Sequence, residues 1–140
     1  MSADVELEHV TIRFGDFTAV SDAHLRIEDG EFFSFLGPSG CGKTTILRTI
    51  SGFLEPTEGV VRIGGNDMAG IGPNKRPTAL IFQNLALSPL RTVAENIAFG
   101  LEGRGTRRAD RRKRADELLN LIALPDQGTK MVSALSGGQK

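Results

Sequence analysis

The sequence predicts an α/β fold, and its pattern carries that expectation in three places. Two nearly all-apolar runs, Glu31 to Leu36 and Thr78 to Phe82, read as strands buried on both faces of a parallel sheet. Between them Ile46, Leu47, Ile50, Phe53 and Leu54 recur at helical spacing, with Pro56 as the stop. Glycines follow the first run at once, so the order is strand, glycine loop, helix, and the whole reads as a βαβ-type layer.

The remaining elements follow from local pattern. Val5 and Leu7, then Val10, Ile12 and Phe14, alternate with polar residues but shift phase by one, as two short strands or one bulged strand would. Ala23, Leu25 and Ile27 alternate cleanly up to the turn signal Asp29-Gly30, and Val60 to Ile63 is a short strand between glycines. From Thr92 the periodicity changes. Thr92 to Glu95 matches a capping box, and Val93, Ile97, Ala98 and Leu101 then fall on one helix face that Gly103 and Gly105 end. Thr106 to Leu124 places Ala115, Leu118, Leu119 and Ile122 on a common stripe and stops at Pro125. Sheet grammar gives way to helices between Gln83 and Arg91, so the expected division is residues 1–90 and 91–140.

Composition narrows the function classes. The 140 residues hold 17 basic and 17 acidic side chains, so there is no net field to attract nucleic acid or anionic lipid. Arg104 to Arg114 carries seven basic residues, but Asp110 with Arg114, Arg112 with Asp116 and Lys113 with Glu117 are i,i+4 pairs, the pattern of a solvated helix face. No nucleic-acid partner is expected. The lone Cys41 cannot form an intrachain disulfide and fits a reducing compartment. The charged N-terminus lacks a signal peptide's apolar run, and no apolar stretch reaches the roughly 18 residues of a membrane span. A cytosolic chain is expected, meeting a membrane through a partner. His9 and His24 have no second ligand near in sequence and read as ordinary surface or packed histidines.

The chemistry sits in the glycine loop. Gly37, Pro38, Ser39, Gly40, Cys41, Gly42, Lys43 and Thr44 fit G-x-x-x-x-G-K-[ST] between a predicted strand and a predicted helix, the context that motif requires. Glycines let successive N–H groups point inward as a nest for phosphate oxygens, and the helix start adds unpaired donors and its positive dipole end. Lys43 supplies a point charge to the β and γ phosphates, Thr44 a hydroxyl to Mg²⁺, and Thr45 a contact to the α phosphate. Cys41 serves as a small backbone donor, not a nucleophile.

A second motif, Leu135-Ser136-Gly137-Gly138-Gln139, accompanies the loop. With it the chain resembles the ATP-binding-cassette (ABC) transporter ATPases over its whole length, and the phrasing of Leu80 to Leu87 and Thr92 to Leu101 is similar to importer ATPases for polyamines, ferric iron and sugars. The resemblance implies a P-loop NTPase fold: a RecA-like parallel sheet core with an antiparallel β subdomain, plus the start of a helical subdomain. It implies that Phe14 stacks on adenine with Val20 beside it, and that Gln83 senses the γ phosphate through Mg²⁺ or the attacking water. It also implies that Ser136, Gly137 and Gly138 offer donors to ATP held by a second copy, so that two chains pair head to tail. ATP and Mg²⁺ are then the ligands. The implied partners are a second ATPase subunit, transmembrane permease subunits and, indirectly, an extracytoplasmic solute-binding protein, with the chain peripheral on the cytoplasmic face of the inner membrane. One departure is the run Leu87-Ser88-Pro89-Leu90-Arg91, where family importers usually place an aromatic and a basic or polar residue around the proline; it bears on the partner-facing groove.

In the family the signature is followed by a Walker B strand and a catalytic Glu. Here the sole Asp-Glu pair, Asp116-Glu117, follows basic residues on a helix and is not Walker B. The chain is therefore expected to be truncated before that motif, to lack the general base for hydrolysis, and to be unstable and inactive alone. Two readings follow: part of an importer's motor subunit, or a truncated nucleotide-binding module or remnant without hydrolytic activity.

Overall fold

The computed structural model describes residues 3–140. The chain divides into two compact units, Met1–Leu80 and Ile81–Lys140.

The first unit is built on a sheet whose strand order is β2-β1-β3-β4. The strands are β1 (Val5–Phe14), β2 (Phe17–Ile27), β3 (Glu58–Ile63) and β4 (Asn66–Asp67), and every pairing is antiparallel. The phase shift in the sequence resolves as one bulged strand. Register slips between Leu7 and Val10 against β2, and between Glu8 and Thr11 against β3, with His9 at φ 52° inside the slip. That extra residue returns Val10 and Ile12 to the face already used by Leu7, and all three are buried. Helix α1 (Lys43–Ile50) lays Ile50 into the cluster of Leu7, Val10, Ile12, Val20, Val61, Ile63 and Met68, with Ile46 packed at its edge.

α1 ends earlier than the apolar spacing through Phe53 and Leu54 predicts. The Phe53 N–H donates to the Arg48 carbonyl (2.9 Å) and the Gly52 N–H to that of Thr49 (3.2 Å), with Gly52 at φ 79°. This is a Schellman stop, which a glycine two residues past the last turn favours and a downstream proline does not need.

The two runs predicted as parallel strands are not strands. Glu31 to Leu36 and Thr78 to Phe82 belong to no ladder, and Phe32, Leu36 and Ile81 are 94%, 91% and 85% exposed. Apolar content marks a segment that can be buried on two faces, but a strand also needs neighbours for its N–H and C=O groups. Among the described residues no strand lies beside either run to form a ladder with it.

The second unit is helical. It contains α2 (Val93–Ile97), α3 (Phe99–Gly103) and α4 (Arg108–Leu121), followed by three single 3₁₀ turns. Val93, Leu119 and Leu135 form its core, with Ile97 and Leu124 against them. The predicted single helix from Thr92 is broken after Ile97 into α2 and α3, with Ala98 serving as the end of one and the start of the other. The predicted stripe of α4 is buried at Ala115 and Leu119, whereas Ile122 lies past the helix end and is exposed. None of the three predicted i,i+4 ion pairs forms among the described residues. Arg114 instead pairs with Glu117 at 3.0 Å, and Arg111 reaches Glu102 at 3.1 Å on α3.

Candidate functional site: a glycine loop at a helix start

The loop of residues 37–42 leads directly into α1. Gly42 is the helix N-cap, at φ 89°, and it lies against β2: a Cβ built there falls 2.8 Å from the Ala19 carbonyl oxygen and 2.9 Å from a Val20 methyl. No residue larger than glycine fits without moving backbone. This contact brings Val20, which is also buried in the sheet core, to the base of the loop.

Lys43, the first residue of α1, folds back across the loop. Its Nζ donates to the Gly37 carbonyl (2.7 Å) and the Pro38 carbonyl (2.6 Å) and lies 3.2 Å from Cys41 Sγ. An ammonium has three donors, and these three neighbours take them. The Ile46 N–H donates to the Gly42 carbonyl at 2.9 Å, closing the first turn of the helix. The N–H groups of Lys43, Thr44 and Thr45 therefore have no acceptor inside the helix. A fixed positive charge and a cluster of unpaired helix-start donors converge on one place, which is the chemistry of an anion site for phosphate. Ser39, Gly40, Cys41 and Thr44 are exposed on its rim, and Thr45 is half-buried with its carbonyl accepting from the Thr49 hydroxyl (2.9 Å).

Phe14 is the last residue of β1, paired with Phe17 across the hairpin and half exposed. Gln83 and the Ser136 to Gly138 stretch belong to the second unit. Gln83 is exposed in a turn that the Leu85 N–H closes on the Phe82 carbonyl at 2.9 Å. Leu85 (φ 62°) and Ala86 (φ 48°) follow it, two consecutive non-glycine residues in a left-handed conformation. Strain of this kind persists where surroundings impose it and clusters at functional segments. Leu135 is anchored in the unit's core, and Ser136, Gly137 and Gly138 emerge from it exposed. The Ser136 N–H donates to Gln139 Oε1 at 3.0 Å, so the glutamine side chain closes the turn and leaves the serine at its entrance.

Sequence reasoning missed two residues that hold this architecture. Asn96 braces the segment after Gln83: its Oδ1 accepts from the Ser88 N–H (2.8 Å), and its Nδ2 donates to the carbonyls of Ser88 (3.1 Å), Arg91 (3.3 Å) and Thr92 (2.9 Å). Arg76 is the one charged side chain buried among the described residues. Nothing in the sequence separates it from its neighbour Lys75, because both are basic residues in a loop beside Pro77. His9 and Asp22 form an exposed pair across the β1 bulge, with Nδ1 to Oδ1 at 2.8 Å and the His24 ring 5.1 Å from that of His9. Among the described residues no helix is long and apolar enough to cross a membrane.

A glycine loop closed by a lysine at a helix start, in a chain that also carries an exposed Ser-Gly-Gly turn on a helical unit, defines a phosphate-loop nucleotide-binding cassette. A family model described as ABC transporter matches residues 20–140, and the chain belongs to that family. Similar relatives include the spermidine/putrescine import ATP-binding protein PotA of Pseudomonas aeruginosa, 48% identical over 136 residues, and PotA of Rubrobacter xylanophilus, 52% identical over the same length. The Fe(3+) ions import ATP-binding protein FbpC of Brucella abortus is 44% identical. Each alignment covers 97% of this chain but only 36 to 38% of the relative, so the chain spans little more than a third of the curated relatives it matches. Among solved structures, the ATP-binding cassette MJ0796 in its dimeric post-hydrolysis state with ADP and Pi matches at a TM-score of 0.84 and 33% identity. That match covers 96% of this chain and 64% of that one, and the fold is that of the ABC ATPase cassettes.

Proposed function

We propose that this chain is the ATP-binding portion of an ABC importer's motor subunit, one that couples ATP binding and hydrolysis to solute transport. The observation that supports it most directly is Lys43 Nζ held within the Gly37 to Gly42 loop, next to the unpaired N–H groups that begin α1. In this reading the loop from Gly37 to Gly42 cradles the phosphates, Lys43 meets the β and γ phosphates, and Thr45 contacts the α phosphate. Phe14 offers its exposed ring to adenine, with Val20 beneath it at the base of the loop. The Thr44 hydroxyl and the Gln83 amide oxygen are the hard oxygen donors that suit Mg²⁺. Ser136, Gly137 and Gly138 donate to the γ phosphate of ATP held by a second copy, arranged head to tail.

The names of the relatives, import ATP-binding proteins for spermidine/putrescine and for Fe(3+) ions, support import as the direction and permease subunits as partners. A peripheral place on the cytoplasmic face of the inner membrane follows from that assembly, as does an indirect link to an extracytoplasmic solute-binding protein. These 140 residues alone hydrolyse no ATP. Asp116 and Glu117 lie on α4, where Glu117 is engaged by Arg114, and no other adjacent Asp-Glu pair is present to supply the base.

Titration of the chain with a fluorescent ATP analogue, with and without Mg²⁺, tests the reading. Saturable binding that Lys43→Ala reduces by about a hundredfold or more is expected, as for loss of a charged phosphate contact. Equal binding by Lys43→Ala, or none by the folded wild-type chain, overturns it. Phosphate release dependent on Lys43 overturns the claim that the 140 residues are inactive alone.

A further inference from the structure

Arg76 spends all five of its N–H donors on one task. Nε donates to the Ile71 carbonyl (2.7 Å), Nη1 to those of Thr49 (2.8 Å) and Ile50 (3.1 Å), and Nη2 to that of Met68 (2.9 Å) and to Glu55 Oε1 (3.4 Å). Thr49 and Ile50 close α1, where the dipole is negative and the Thr49 carbonyl otherwise accepts only from the Gly52 N–H (3.2 Å), so a buried cation is electrostatically favoured there. Met68 and Ile71 lie on the segment that follows β4. Met68 is itself part of the sheet core, and its N–H donates to Val61 on β3 at 2.9 Å. Gly52, at φ 79°, completes the fit: a Cβ there falls 2.6 Å from Arg76 Nε, so the guanidinium lies directly on the helix stop.

α1 needs such a tie. It has eight residues, about 12 Å of helix, and it buries only Thr49 and Ile50, while Leu47 is 40% exposed. One end rests on β2 through Gly42 and the other is tied to the β3–β4 side through Arg76. Lys43 and Thr44 stand at the first end, so the angle at which α1 presents them depends on how the second end is held.

We propose that Arg76 is a positioning residue for the phosphate loop: by clamping the last carbonyls of α1 to the segment after β4, it sets the placement of Lys43 and Thr44. The proposal rests on the reading of residues 37–44 as a nucleotide phosphate site. Lysine at this position keeps the charge at the helix end but offers three donors around one nitrogen, which cannot span carbonyls on two sides as the planar fork does.

The test compares wild type with Arg76→Lys and Arg76→Met in the same chain, by two readouts. Amide hydrogen exchange without nucleotide is expected to show Arg76→Lys losing protection throughout Ile46 to Ile50 while β1 to β3 keep theirs. Titration with the fluorescent ATP analogue and Mg²⁺ is expected to show affinity about tenfold weaker in Arg76→Lys under conditions where both chains are folded, the scale of a misplaced binding group. Arg76→Met is expected to lose more on both readouts; if it does not fold, Arg76→Lys decides alone. Unchanged affinity in folded Arg76→Lys, or exchange altered only at Ser51 to Phe53, overturns the proposal and leaves Arg76 as a local staple. Loss of protection across the sheet as well overturns it too, because the role is then global stability. If wild type binds no nucleotide while α1 still loosens in Arg76→Lys, the nucleotide reading fails and the clamp on α1 stands.

Discussion

Gly42 and Gly40 share a left-handed backbone and differ in what surrounds them. At Gly42 a methyl group meets the Ala19 carbonyl and the Val20 side chain under 3 Å away, whereas at Gly40 nothing lies within 4 Å. Alanine at Gly40 therefore carries only the left-handed conformational cost, about 1–2 kcal/mol. Alanine at Gly42 adds displacement of β2 or of the helix start, and we expect it to lower the urea unfolding midpoint distinctly further. Equal midpoints for the two variants contradict the close packing of the loop on β2. At this scale the sequence was informative about Lys43 and uninformative about Arg76. The motif singles out the lysine through spacing to its own neighbours, while the arginine is held by carbonyls of Thr49, Ile50, Met68 and Ile71, none adjacent to it in the chain.

Local signals governed the elements whose hydrogen bonds are local. The capping box of α2 forms as the residues predict: the Thr92 N–H donates to Glu95 Oε2 (2.8 Å) and the Glu95 N–H to the Thr92 hydroxyl (3.3 Å). Hydrogen bonds from Thr92, backbone first, hold the Glu95 carboxyl below its ordinary range, and those from Arg91 and Arg111 do the same for Glu102. An acid held low in the folded state binds its proton more readily when unfolded. These two carboxylates thus stabilise the helical unit above the unfolded value near 4.3, and the contribution disappears as pH falls through that value and then the lower folded one. The helical circular-dichroism signal should melt at progressively lower temperature below about pH 5, and Glu95→Gln with Glu102→Gln should flatten that dependence. An unchanged slope in the double variant places the acid sensitivity elsewhere. α1 was misjudged at its end for a complementary reason: the apolar spacing continues to Leu54, but Gly52 turns the chain left-handed first.

For the whole molecule, a neutral chain displays much of its apolar surface. Phe32 and Leu36 in the first unit, and Ile81, Leu90 and Leu121 in the second, are each at least 79% exposed, and the formal net charge is zero. Both features favour association over dispersal. Light scattering should rise with concentration near neutral pH, and replacing Phe32 and Leu36 with serine should suppress it without lowering the unfolding midpoint, since neither side chain is packed. A fall in the midpoint would show that these residues do contribute to the folded core. The same residues mark where the sheet expectation failed: their apolar character is a property of the chain, but a parallel ladder is a property of neighbours.

What the amino-acid order determined unaided lay within single segments: the capping box, the phase shift in the alternation of β1, the helical run of α4, and the glycine loop with its lysine. Tertiary structure alone decided whether the apolar runs found partners and which basic residue was taken inside. The reason is the reach of the forces involved. Backbone turns and caps close over a few residues, whereas pairing a strand or burying a guanidinium needs donors and acceptors that only folding brings together.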